Sequence, residues 1–162
     1  MVATVVRRRA PASLLPHRDL RPRPGGARAV APATLRKQRL MAHTTDTTFP
    51  HHRLDAYCVA LDLVAAANRV AASIKRGQRP LADQLERAST STALLIAEGA
   101  NRRTAGDKRQ RFAMARGECG ECAAATEIAM TLGLVPHGDA QRVLVLAARV
   151  AAMLTRLIQR FQ

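Results

Sequence analysis

The stretch DAQRVLVLAARVAAMLTRLI, residues 139–158, decides the fold of this chain. Two apolar seams run side by side along it at heptad spacing, separated from the arginines that recur every seven residues. The first seam is Val143, Leu146, Val150, Met153 and Leu157, and the second is Leu144, Ala147, Ala151, Leu154 and Ile158. This periodicity predicts a long helix that begins near residues 138–139 and has Asp139 as its cap. Because one neighbouring helix cannot cover two seams, we expect this helix to be either central or covered by another subunit.

Three more segments with helical periodicity precede this one. We predict helices over about residues 53–76, 80–100 and 105–132, with Gly77 and Gly133 as stop signals and Thr104 or Asp107 as the cap of the third. Aromatic residues make up only 2% of the chain and apolar residues do not alternate, so a β-sandwich is disfavoured. Four helices with short connections predict an all-α fold, an antiparallel up-and-down four-helix bundle over residues 49–162.

The N-terminal part has a different composition. Residues 1–40 carry ten basic side chains against Asp19 alone, a net charge of +9, together with five prolines. Such charge and proline content prevents a packed core, so residues 1–48 are predicted to be a disordered basic segment. Three explanations stay open, namely a basic nucleic-acid arm, a targeting peptide, and translated upstream sequence with Met41 as the real start. The change of composition at Met41 favours the last of them.

Charge points to polyanionic partners. The whole chain has a net charge of +14, of which residues 41–162 contribute +5 from 16 basic and 11 acidic side chains. Such a balance favours RNA or DNA as a partner first and an anionic membrane surface second. The candidate phosphate-binding residues cluster around the second connection and recur along the last helix: Arg102, Arg103, Lys108, Arg109, Arg111, Arg142, Arg149 and Arg156. A solvated polar face is the competing interpretation. Since the chain has one Tyr, three Phe and no Trp, any binding should be directed to the backbone rather than to stacked bases.

Catalytic, metal and redox sites are not predicted. Cys119 and Cys122 form a C-x-x-C, but they lie on the apolar seam of the third helix with no strand before them, so we interpret them as core residues. A zinc site would need a second pair of ligands, and His51, His52 and His137 are scattered along the chain. No cofactor is predicted either. Three cysteines, the lack of a secretory signal and the lack of a long apolar run favour a reduced, cytoplasmic protein that does not enter a membrane.

Acidic residues near the arginines are predicted to form ion pairs. Glu98 precedes Arg102 by four residues, which is the favourable order for a helical pair. Glu118 and Glu121 lie three residues apart on the third helix, where they share one face. Their expected partners are on the same helix or on a neighbouring chain, and those on the same helix are Arg111 and Arg116.

A short motif between the second and third helices resembles that of a bacterial family. It is Ile96-Ala97-Glu98-Gly99, followed by Arg102, Arg103, Phe112, Met114-Ala115-Arg116-Gly117 and Glu121. Gly99 is expected to permit a close helix crossing or to begin the turn. The motif and the order of the helices resemble the four-helix bundle proteins first noticed as open reading frames inside intervening sequences of large-subunit ribosomal RNA genes. The resemblance covers about residues 49–161. The accessory variability determinant proteins of diversity-generating retroelements, a related branch, have a similar fold and bind nucleic acid and a reverse transcriptase.

The resemblance implies a ring-forming homo-oligomer, a pentamer, without established catalysis. We therefore expect a non-enzymatic oligomeric helical scaffold that binds RNA or DNA through backbone phosphates. The alternative is a protein-interaction module that partners another protein without binding nucleic acid. A salt-sensitive RNA shift retained by residues 41–162 would distinguish the two.

Overall fold

A computed structural model describes residues 49–162, and the predicted disordered segment 1–48 lies outside the described residues. Four helices make up most of this part: α1 Asp55–Ser73, α2 Arg79–Asn101, α3 Ala105–Thr131 and α4 His137–Arg160. Short 3-10 turns, Pro50–Arg53 and Arg76–Gln78, precede α1 and α2. The all-α class and the four helices are confirmed, and each predicted end lies within about three residues of the observed one.

The helices form an antiparallel up-and-down bundle. Each helix packs against the next along the chain, and α4 also packs against α1, so the four close around one core. Many of the buried side chains are alanines, which let neighbouring helices approach closely. The largest fully buried side chains fill the space between them: Phe112, Leu63, Leu85, Ile96 and Leu154. Burial of this aliphatic surface is the main stabilising contribution to the bundle.

Capping residues explain where α3 and α4 begin. The Thr104 hydroxyl accepts a hydrogen bond from the Asp107 backbone N–H at 3.1 Å, which confirms Thr104 as the cap of α3. The prediction of Asp139 as the cap of α4 was wrong. Pro136 occupies that position because its ring holds φ at −62°, and its carbonyl accepts the Ala140 N–H at 3.1 Å. Asp139 lies in the first turn instead, where its charge favours the positive end of the helix dipole.

The two predicted seams of α4 do not face different surroundings. The buried line of α4 consists of Ala140, Val143, Ala147, Val150 and Leu154, so it takes residues from both seams. The side of α4 that lies between the two seams faces the bundle axis. Alternate residues of each seam are therefore buried. Leu154 is 0% exposed, so of the two expected alternatives, a central position or cover by another subunit, the core line of α4 needs only the first. The bundle itself covers the apolar core line of α4.

Helix α1 is the one described helix that is long and apolar enough to cross a membrane. By length and composition Asp55–Ser73 passes that test, and 56% of the apolar window is buried inside the bundle. Core helices of bundles have the same composition, because they bury a wide apolar face against their neighbours. Length and composition are therefore only weak evidence that α1 crosses a membrane.

Helices α2 and α3 cross closely at Gly99, as the sequence led us to expect. A Cβ at this position would lie 2.7 Å from Cε1 of Phe112 and 3.2 Å from Cβ of Arg111. The Phe112 ring is buried and stacks on Phe161 at a centroid distance of 6.0 Å, so it has little freedom to move aside. Glycine is thus the residue that lets the Phe112 ring reach the core at this crossing.

Gly99→Ala should destabilise the bundle because the added methyl group overlaps the Phe112 ring. Overpacking of this kind costs roughly 1–3 kcal/mol, partly offset by the better helix propensity of alanine. Chemical denaturation monitored by circular dichroism would measure the loss. The matched control is Gly138→Ala, since nothing lies within 4 Å of a Cβ at that position. Equal stability of the two variants would show that the crossing does not constrain residue 99.

Candidate nucleic-acid interface

One end of the bundle gathers the start of the described chain, the α2–α3 connection and the C-terminus of α4. The side-chain amide of Asn101 lies 3.3 Å from Nδ1 of His51. Lys108 Nζ lies 5.6 Å from the centre of the Phe161 ring. We call this the connection end and define it as residues 50–55, 98–111 and 156–162. These contacts place three distant parts of the sequence on one surface.

The structure brings six of the eight predicted phosphate-binding residues to the connection end. They are Arg102, Arg103, Lys108, Arg109, Arg111 and Arg156. The other two, Arg149 and Arg142, lie progressively further along α4. Arg142 is 14 residues from Arg156, which corresponds to about 21 Å along a helix. The predicted set is therefore one cluster plus two separated arginines.

Two of the clustered arginines are already paired. The Arg102 guanidinium bonds to the Glu98 carboxylate, which confirms the predicted helical pair. A second partner was not predicted from the sequence, namely Arg111, whose Nε lies 3.3 Å from the same Glu98 oxygen. A carboxylate that bridges two guanidinium groups neutralises part of their charge, so Arg102 and Arg111 are poorly available to a phosphate.

Three of the six clustered cations are exposed: Arg103, Arg109 and Arg156. Within residues 49–162 none of the three forms an ion pair. Lys108 is half-buried against Phe161, and the Arg160 guanidinium lies 6.0 Å from the centre of the same ring. Arg160 was not among the predicted residues, although it follows Arg156 by one helical turn. The negative face of an aromatic ring attracts cations, so the ring helps to position both side chains at the surface.

The motif residues 96–99 have structural roles at this end. Ile96 is buried in the core, Gly99 makes room for Phe112, and Glu98 links α2 to α3 through Arg111. The Ala97 carbonyl accepts a hydrogen bond from the Asn101 side chain at 2.7 Å. The motif thus fixes the position of the connection that carries Arg103.

The partners expected for Glu118 and Glu121 on their own helix were wrong. Arg87 of α2 reaches both, with Nη1 3.1 Å from Glu118 and Nη2 2.6 Å from Glu121. The hydrogen bond to Glu121 and the charge of Glu118 raise the pKa of Arg87 above its ordinary value. An arginine on α2 is the better partner because the two acidic side chains point across the helix–helix boundary, not along α3.

The histidines near the start of α1 pack as part of an aromatic cluster. His51 stacks on Phe49 and meets Tyr57 edge-on at a centroid distance of 4.7 Å. Burial, and then the charge of His52, lower the pKa of His51 below its ordinary value. Across residues 49–162 no three His, Cys, Asp or Glu side chains are grouped to hold a metal ion. The cluster anchors the chain at the connection end.

The C-x-x-C lies in the core, as predicted. Cys119 and Cys122 are both buried free thiols, and Cys119 Sγ donates to the Ala147 carbonyl at 3.2 Å. Burial raises the pKa of Cys119 to about 11 and that of Cys122 to about 12. The reactive thiolate is therefore disfavoured at neutral pH, the opposite of what a redox-active cysteine needs.

Replacing both thiols should lower the stability of the bundle. It should not change any binding, because the buried thiols do not act as a redox switch. In Cys119→Ser with Cys122→Ser, each buried hydroxyl that lacks a partner costs roughly 1–3 kcal/mol. Thermal unfolding would measure the loss against Ala124→Ser, a change at an exposed position of the same helix. In the native wild-type protein, alkylation of the two thiols at pH 8 should be slow by mass spectrometry. Rapid labelling before unfolding would contradict their assignment to the core.

Residues 52–156 match a protein family described as 23S rRNA-intervening sequence protein. The match covers α1, α2 and α3 completely and α4 up to its last turn. It therefore includes the 96–99 motif, the connection and the ion pairs of Glu98. No curated protein sequence matches the chain.

Proposed function

The chain belongs to the 23S rRNA-intervening sequence protein family, and we propose that it is a non-enzymatic, homo-oligomeric scaffold that binds the phosphate backbone of RNA or DNA at the connection end. In this proposal the oligomer is a cytoplasmic pentamer, as the resemblance to intervening-sequence proteins implies. The observation that carries the proposal is a set of exposed cations, Arg103, Arg109 and Arg156, which form no ion pair within residues 49–162.

The charge of the described part is concentrated at the connection end. Eight basic and three acidic side chains lie in it, against eight basic and seven acidic side chains in the rest of residues 49–162. Nearly all the net positive charge of the bundle therefore acts from one end. A localised positive field attracts a polyanion and increases its rate of association.

The nature of the cluster supports contacts to phosphate rather than to bases. The ring nearest to it, Phe161, is half-buried and lies beside Lys108 and Arg160. Because Phe112 stacks on it, Phe161 is a poor platform for a base, whereas guanidinium groups bind phosphate oxygens well. We expect binding that tolerates sequence and falls steeply with salt. Since one subunit offers few free cations, several copies acting together should determine the affinity.

Arg103→Gln with Arg109→Gln in the full chain should weaken RNA binding. On single strands the slope of log K against log salt should fall by about 0.7 for each phosphate that the variant no longer neutralises. Fluorescence anisotropy with a labelled single-stranded RNA across a salt series would measure both the affinity and the slope. The charge-matched control is Arg69→Gln with Lys75→Gln, two exposed cations outside the connection end.

The N-terminal segment is common to both variants, so their difference reports the bundle alone. Equal weakening by the two double variants would contradict a localised site. No salt-sensitive RNA binding by the wild-type chain would favour the alternative, a protein-interaction module without nucleic-acid binding.

Glu98→Gln should tighten RNA binding because it releases Arg102 and Arg111 from their shared carboxylate. Stability should fall only slightly, since partly exposed ion pairs contribute up to about 1 kcal/mol. Anisotropy and thermal unfolding would measure the two effects. Asp139→Asn changes the net charge equally at an exposed position in the first turn of α4, outside the connection end. If both variants tighten binding to the same degree, net charge and not the released arginines determines the affinity.

A further inference from the structure

Packing inside the subunit does not require glycine at two positions in the middle of α3. Gly117 and Gly120 lie on the exposed side of α3, and a Cβ at either position would meet no atom within 4 Å. Glycine is a poorer helix former than alanine, so both residues weaken the helix that contains them. Gly99, in contrast, makes room for Phe112. Close approach of a partner is a physical reason for a glycine that the subunit itself does not need.

These glycines line a groove between α3 and α4. Across from them α4 contributes Ala148 and Ala151, and Arg116 lies at the edge. The groove has a volume of about 520 Å³ and is lined mainly by apolar atoms. Its floor of small residues leaves space for large apolar side chains from a partner.

The same chain exposes large apolar side chains on the neighbouring side of the bundle. Leu94 of α2 is 65% exposed and Met114 of α3 is 44% exposed. Ion pairs join α2 and α3 on both sides of them: Glu98–Arg111 at 3.3 Å and Arg87–Glu118 at 3.1 Å. We call Leu94 and Met114 the apolar pair. Exposed apolar groups beside one another are characteristic of surfaces that bind another protein.

We propose that the apolar pair of one copy docks into the α3–α4 groove of a second copy of this chain, so that subunits join head to tail. This inference rests on the proposed homo-oligomer and identifies the two faces that form it. Leu94 meets the alanines of α4, and Met114 meets the glycines of α3. Each subunit then offers one face and receives the other.

The apolar pair lies level with one end of the groove along the bundle axis, so the two faces overlap in height. The Cys119–Ala147 hydrogen bond places those two residues side by side. Because α3 and α4 are antiparallel, Ala151 lies about one helical turn away, level with residue 115 of α3, next to Met114. Leu94 lies at this level too, between the two α2–α3 ion pairs. Faces at equal height close a ring, whereas a difference in height generates a filament.

Charge at the rims of the two faces is complementary. Glu121 lies two helical turns beyond Met114 on α3, and its side chain is 49% exposed even though Arg87 contacts it. Arg116 and Glu127 both line the groove and are exposed, and Arg116 lies at the end nearer to the level of Met114. At matching height, docking brings Arg116 of one copy towards Glu118 and Glu121 of the next. Opposite charges around an apolar centre fix the register of an interface and disfavour groove-to-groove pairing, which would bring two copies of Arg116 together.

The arrangement of the faces also limits the size of the ring. The apolar pair lies on the α2–α3 side and the groove on the α3–α4 side, and adjacent sides of a four-helix bundle meet at roughly a right angle. Rings of four and five subunits need faces inclined at roughly 90° and 108°. Helix α3, which both faces share, then lies nearest the ring axis. Its first turns bring Lys108 and Arg109 of every copy together around that axis.

Leu94→Asp in the full chain tests the face that docks. It should convert the oligomer to monomers, as measured by light scattering after size-exclusion chromatography, without loss of helical circular dichroism. The matched control is Leu132→Asp, because Leu132 is 55% exposed and lies outside both faces. The control should assemble like the wild type.

Gly120→Leu tests the face that receives. A side chain there fills the groove, while the subunit itself has room for it. The variant should be a monomer with a thermal midpoint at least as high as that of the Leu94→Asp monomer, because leucine is the better helix former. Ala72→Leu, at an exposed position of α1, is the control and should remain assembled.

Mixing the two monomeric variants tests the head-to-tail geometry. Leu94→Asp keeps an intact groove and Gly120→Leu keeps an intact apolar pair, so the mixture should form a species of twice the monomer mass and no larger ring. Assembly of Leu94→Asp by itself would overturn the proposal and indicate groove-to-groove pairing. A wild-type oligomer that both substitutions leave intact would overturn these faces while the proposed oligomer stands. A monomeric wild type would overturn the oligomer of the proposed function as well.

Discussion

The contact of the Phe112 ring with Gly99 is the constraint on which the rest of this bundle depends. It brings α2 and α3 together at the point where the chain reverses direction. Closeness at this crossing lets Glu98 reach Arg111 on the opposite helix as well as Arg102 on its own. Phe112 in turn stacks on Phe161, which ties the end of α4 to the same point. One small residue thus positions three of the four helices at the connection end.

The distribution of usable charge follows from this crossing. Because Glu98 occupies Arg102 and Arg111, the clustered cations left exposed are Arg103 and Arg109, on the connection and the first turns of α3, and Arg156 on α4. Phe161 holds Lys108 and Arg160 near them. The bundle therefore presents a small set of oriented cations, and a polyanion that binds several copies gains more than the charge of one subunit provides.

Periodicity predicted the helices because each apolar face repeats at the helical period, and local signals such as Thr104 and Gly133 fixed their ends. Periodicity did not fix the rotation of α4, since two adjacent seams share the core and only packing selects the line through Leu154. The ion pairs of Arg87 and Arg111 were missed for the same reason, because contacts between helices depend on rotation and relative height. Six of the eight candidate cations lie together, as their closeness in sequence and the short connection made predictable, but which of them are neutralised was not.

Because both seams of α4 share the core line, the physical reason for the assembly that we propose lies on the two sides of α3 and not on α4 alone. Within residues 49–162, Leu154 and the other core residues of α4 are satisfied by the subunit, so they provide no reason to associate. Gly117 and Gly120 do provide a reason to associate. Packing inside the subunit does not require glycine at these positions, so each glycine lowers the stability of α3 and leaves space on its surface. Gly99 shows within the subunit how such room is used, by a large side chain from a neighbouring helix. In the proposed ring a large side chain from the neighbouring subunit would use the room at Gly117 and Gly120 in the same way, so α3 would both hold the subunit together and join it to the next.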